Sequence, residues 1–198
     1  MRLIVSATLI GTLSLPAFAQ PDDPVSTPQG HEIEVYLAEN ALQAMYTTEL
    51  DVGELGMNEI RAGFLFSEAR DFILAGDMLV DVGQRPERPR WMLDVGPRVY
   101  GALLNVENQD IFAIAVGGRL SYLFRQNGAT TMSVSAFYAP DIITFGNADN
   151  VVDVSVRFET QLTPATRIFL GYRSFEFDLL DAKRKIDDDI HIGFRRRF

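Results

Sequence analysis

From about residue 31 to its end, the chain alternates apolar and non-apolar residues with a period of two, segment after segment. Successive side chains of a β-strand point to opposite faces, whereas a helix repeats every ~3.6 residues, so this rhythm builds sheet. In Asn58–Ser67 one face is Ile60, Ala62, Phe64 and Phe66, and the other carries Glu59 and Arg61. Asp71–Asp81 sets Phe72, Leu74, Gly76, Met78 and Val80 against Asp77 and Asp81. Trp91–Leu103 sets Trp91, Leu93, Val95, Pro97, Val99 and Leu103 against Asp94 and Arg98. Ile111–Phe124, Thr131–Tyr138 and Val151–Leu162 continue the pattern. Ile168, Leu170 and Tyr172 then oppose Arg167 and Arg173, and Ile190, Ile192 and Phe194 oppose Asp189, His191 and Arg195.

Those segments make eight strands. In His31–Leu50 the phase changes at Glu39-Asn40: Ile33, Val35 and Leu37 lie on one parity, and Leu42, Ala44 and Tyr46 on the other. A tight turn there adds two strands, whereas a bulge adds one. Closed bacterial barrels hold an even number of strands. The expectation is about ten, with eight as the fallback.

The first stretch, MRLIVSATLIGTLSLPAFAQ, reads as a secretory signal: Arg2, an apolar run Leu3–Leu15, and Ala17-Phe18-Ala19 as the small-x-small site. This assigns residues 1–19 to a signal peptide, 20–30 (QPDDPVSTPQG) to a polar, proline-rich disordered leader, and 31–198 to one domain. Charges interrupt every later apolar stretch well short of the ~20 residues a membrane-spanning helix needs. A membrane protein of this composition crosses as a closed barrel.

The chain has no cysteine, which excludes disulfides and thiolate chemistry. Losing Arg2 with the signal lowers the 18 basic residues to 17, against 27 acidic ones. That balance argues against nucleic-acid binding, which needs a concentrated basic footprint.

Alternation alone leaves two barrels open. A soluble lipocalin-like binder turns its apolar face inward, and a membrane barrel turns it outward. The sequence favours the second. Aromatic residues such as Phe64, Trp91, Tyr122, Phe124, Tyr138 and Tyr172 crowd the ends of the apolar faces, where membrane barrels carry their girdles. The opposite faces carry both charge signs at mid-strand, which suits a lumen in which they pair. The chain also ends DDDIHIGFRRRF, a strand finishing on Phe198, as membrane barrels finish for the machinery that assembles them. Arg196 shares the apolar parity and can snorkel at a membrane rim.

The segments EVYLAENALQAMYTTEL, NEIRAGFLFS, FYAPDIITFGNADNVVDVSVRFETQLTPATRIFLGYRSFEFDL and DDDIHIGF resemble the YfaZ family of outer-membrane proteins. The Tyr-Ala-Pro-Asp of residues 138–141 and the Gly-Tyr-Arg of 171–173 are the most family-like points. The resemblance implies an outer-membrane barrel in a Gram-negative bacterium. It brings no catalytic or ligand residues.

The chain holds two histidines, His31 beside the leader and His191 on the polar parity of the last strand. Asp189 and His191 form a base-and-orienter pair on paper, but no G-x-S-x-G nucleophile motif accompanies them. Asp187-Asp188-Asp189 and the Asp141–Asn150 loop are oxygen-rich, yet neither fits the calcium-loop frame. No catalytic, cofactor or metal residue is assigned. Lys183-Arg184-Lys185 lies in an expected outward connection, where it would meet lipopolysaccharide phosphates. Arg98, Arg119, Arg157 and Arg173 are bulky enough to fill an eight- to ten-stranded lumen.

The expectation is therefore an all-β, antiparallel up-and-down transmembrane barrel, exported to the outer membrane. It is not an enzyme, has a charge-filled lumen, and serves a structural or interaction role. Its partners are outer-membrane lipid, lipopolysaccharide and the barrel-assembly machinery that reads Phe198. A narrow porin and a soluble periplasmic binder are the alternatives.

Overall fold

The computed structural model describes residues 30–51, 57–82, 90–105, 109–124, 129–179 and 183–198. The signal-peptide reading, and the leader except for Gly30, lie outside the described residues. In chain order the strands are β1 His31–Ala38, β2 Ala41–Asp51, β3 Met57–Ser67, β4 Phe72–Asp81, β5 Trp91–Leu104, β6 Gln109–Leu123, β7 Thr130–Ala139, β8 Thr144–Gly146, β9 Ala148–Thr163, β10 Thr166–Leu179 and β11 Lys183–Arg197. Each pairs antiparallel with its neighbours, and β11 closes onto β1.

Strands β7 and β8 are one stave in two pieces. Both pair with β6, β7 over Val116–Leu123 and β8 over Ile111–Ala113. Between them Pro140 and a 3₁₀ turn at Asp141–Ile143 leave the ladder. Proline has no N–H to donate, so the ladder stops there. Counted this way the closed barrel has ten staves, as the alternation predicts.

The phase change at Glu39-Asn40 is a two-residue turn. Leu37 pairs with Leu42 across it, and β1 and β2 form a hairpin. The stretch Lys183–Asp187 differs from expectation, being the first part of β11 rather than a connection. Phe175 pairs with Asp187 and Glu176 with Lys185, so Ile186 is an extra residue in a bulge. Ile186 and Asp187 are consequently both buried, and the alternation is broken there. The expected Asp141–Asn150 loop likewise contains β8 and the start of β9. Its sharp reversal falls at Gly146, whose φ of 95° favours glycine.

The apolar parity faces outward all the way round. Leu37, Leu74, Leu103, Val116, Leu170, Ile190 and Ile192 are 54–68% exposed. A water-soluble monomer does not expose a continuous apolar belt of this kind. Aromatic rings gather toward its edges. Toward the end that holds the termini, Trp91, Tyr122, Phe124 and Phe158 follow one another at centroid distances of 4.6, 5.1 and 5.9 Å. Toward the far end, Phe64 meets Phe72 and Phe112 meets Phe145, each at 6.1 Å.

Candidate functional site: a half-sealed lumen

With the greasy parity outside, the charged parity projects into the lumen, and each arginine there meets a carboxylate. Nearest the termini, Arg197 bonds Glu32 at 2.9 Å and Arg195 bonds Glu34 at 2.9 Å. Arg157 crosses from β9 to grip both oxygens of Glu34 at 2.7 and 2.8 Å. Arg119 crosses from β6 to Glu59 on β3 at 2.6 Å and also reaches Asp94 at 3.0 Å.

At mid-height a crossbeam spans the lumen. Arg61 and Arg98 each bond Asp77 at 2.8 Å. Arg98 continues to Asp153 at 2.8 Å. Asp153 also takes two bonds from Arg173, each 2.8 Å, and one from the Tyr100 hydroxyl at 2.7 Å. Arg173 donates onward to the Tyr36 hydroxyl and Gln43, and Tyr36 donates to Asp187 at 2.7 Å. Buried charges persist when paired and hydrogen-bonded, as Asp77 and Asp153 are by these arginines.

Beyond the crossbeam the lumen changes character. Ile73, Tyr100, Phe137, Val151, Phe175 and Phe177 are at most 2% exposed and fill the far half. Tyr100 stacks on Phe175 at 5.2 Å, and Phe175 meets Phe177 at 5.1 Å. The Arg98 guanidinium lies 3.6 Å from the Phe137 ring centre and that of Arg173 4.6 Å from Phe175, so the crossbeam caps this apolar plug by cation–π contact. The charge-filled lumen expected from the sequence is thus corrected. Charge fills the half nearer the termini, and the far half is mainly apolar, with the buried Asp71 and Asp187 toward its rim.

A cavity of about 250 Å³ remains in the charged half. Its lining reaches from Glu32, Glu49 and Arg197 up to Arg98, Asp153 and Arg173. Strand β7 contributes only hydroxyl side chains to one wall, Thr131, Ser133 and Ser135, and Ser135 bonds Ser155 of β9 at 2.8 Å. No residue of the far rim lines it.

The YfaZ precursor family model matches residues 47–198. The chain belongs to the YfaZ family. No curated protein matches it. Among solved structures, the outer membrane channel DcaP of Acinetobacter baumannii is similar, at 12% identity and a TM-score of 0.44. The alignment covers 83% of this chain and 54% of that channel, so the YfaZ chain spans about half the channel's length. Family and apolar belt together make this YfaZ protein an outer-membrane β-barrel.

The residues singled out in the sequence fall in different places in this YfaZ barrel. His31 sits at the terminus end, its Nδ1 2.7 Å from the Tyr46 hydroxyl. His191 is 1% exposed and wedged between Tyr36, stacked at 4.5 Å, and Phe169 at 6.0 Å. Asp189 bonds Asn40 at 2.8 Å, and among the described residues His191 has no hydrogen-bond partner, so the two form no pair. The inward Gly171 and Gly193 make this packing possible. A Cβ on Gly171 would stand 2.5 Å from the His191 ring, and one on Gly193 would stand 2.4 Å from Phe169. Arg184 turns inward to Asp71 at 2.8 Å, Lys183 bonds Asp178 at 3.1 Å, and Lys185 pairs with Asp188.

Sequence reasoning missed the plug. Its signal was present as runs apolar on both parities, such as VYGALL at 99–104 and IFAIAV at 111–116. A strand buried on both faces reads this way.

Proposed function

We propose that this YfaZ protein is a small, non-conducting barrel of a Gram-negative outer membrane, with a structural or interaction role rather than an enzymatic one. The apolar plug in the far half of the lumen carries this reading. An ion crossing it would exchange its hydration shell for phenylalanine and valine side chains, while the charges that flank the plug are already paired with one another. An even stave count brings both termini to one end, which this reading assigns to the periplasm. The plugged end then faces outward. There Lys183 and Lys185 stand beside acidic partners as the side chains available to lipopolysaccharide phosphates. Phe198, 68% exposed at the other rim, is the aromatic end offered to the assembly machinery.

Planar-bilayer recording tests the sealed lumen. The native barrel is expected to give no conductance steps. Truncating the plug with Phe137→Ala, Phe175→Ala and Phe177→Ala together is expected to open discrete ones. Steps from the native protein would instead identify a narrow porin.

A further inference from the structure

Ten stave pairs make this barrel, and nine of them are joined by a connection along the chain. A short connection limits how far two strands can slip. The tenth pair, β1 with β11, joins the two ends of the domain and has no such limit. A slip of one residue there would turn every lipid-facing side chain inward. A slip of two residues keeps each on its own face. On the lipid side the native rungs are Ile33–Arg196, Val35–Phe194 and Leu37–Ile192. Apart from Arg196 at the rim, two-residue slips exchange apolar neighbours for one another, so the lipid face discriminates weakly.

The inward rungs discriminate strongly. Glu32 pairs with Arg197 and Glu34 with Arg195, both in register and both bonded at 2.9 Å. The next rung sets Tyr36 opposite Gly193. Slipping two residues one way puts Glu34 opposite Arg197, takes Glu32 off Arg197, and drives Tyr36 onto Arg195. Slipping the other way puts Glu34 opposite Gly193 and Arg197 opposite Gly30. Either slip takes a buried charge from its partner, which costs far more than any exchange on the lipid face. The connected joints β3–β4, β4–β5, β5–β6 and β10–β11 each show one inward rung of opposite charge. The unconnected joint carries two in succession.

We propose that Glu32 and Glu34 with Arg195 and Arg197 form a charge code that selects the closing register of the barrel. The code also accounts for a run of arginines next to the terminal Phe198. Two of the three are teeth of the joint, and only Arg196 faces out.

The absence of cysteine makes the joint easy to read. Cysteine pairs are introduced at Val35/Phe194 for the native register and at Val35/Ile192 and Val35/Arg196 for the two slips. Each is refolded into lipid vesicles and oxidised. With the code intact, only the first pair is expected to cross-link. With Glu32→Gln and Glu34→Gln, slipped products are expected to rise at least tenfold. Where the double variant forms no barrel, Glu32→Gln alone, which leaves Glu34 between Arg157 and Arg195, is read in the same way. A variant that still cross-links only at Val35/Phe194 overturns the proposal.

Discussion

Asp153→Ala is expected to destabilise the barrel by ~3–5 kcal/mol, the range for removing one partner of a buried ion network. Asp153 is 1% exposed and accepts from Arg98, Arg173 and Tyr100. Its loss leaves Arg173 without a carboxylate in the middle of the lumen, leaves Arg98 on Asp77 alone, and frees a buried hydroxyl. It also loosens the two cations that cap Phe137 and Phe175. Ser135→Ala, which removes the single bond to Ser155, serves as the control and should cost about 1 kcal/mol. The readout is urea unfolding in lipid vesicles, followed through Trp91. That residue is the chain's one tryptophan and is 60% exposed on the outer face, so its emission shifts when the barrel leaves the bilayer. Equal costs for the two substitutions would mean that the crossbeam is peripheral to stability.

Val156→Arg is expected to cost ~2–4 kcal/mol, the price of a cation on the lipid face at the bilayer midplane. Val156 faces out near the middle of β9, between Val154 and Phe158. Leu162→Arg, one residue from the end of the same strand, should cost only ~0–1 kcal/mol, because an arginine there reaches the headgroups. The depth dependence is the informative quantity. A soluble barrel would show no relation between cost and distance from the rim.

The outward face was largely legible in the sequence because lipid demands apolar residues at every second position. Ile190, Ile192 and Phe194 fall where alternation places them, and so do Val154 and Val156. The turn at Glu39-Asn40 was legible as a change of phase. The inward face was harder. Its charged half could be recognised as a lumen, but which arginine meets which acid depends on how staves three apart approach across it. Arg119 with Glu59 and Arg98 with Asp153 are such pairs. The plug was hidden because apolar residues on both parities erase the period-two signal where Ile111–Val116 and Ala136–Ala139 pass through it. The Ile186 bulge hid the start of β11 in the same manner, by inserting one residue into the count.

The central claim is that the apolar parity faces lipid while the polar parity faces a packed lumen. Adjacent residues on β9 test it most directly. Single cysteines at Val154 and Ser155 are labelled with an environment-sensitive fluorophore, and the protein is refolded into vesicles that carry a quencher on their acyl chains. The structure predicts strong quenching at position 154 and little at 155, because Val154 is exposed on the belt and Ser155 bonds Ser135 inside. Quenching at neither position, with the 155 label in water and the 154 label buried, would contradict it and return the chain to a soluble barrel with its apolar face inward.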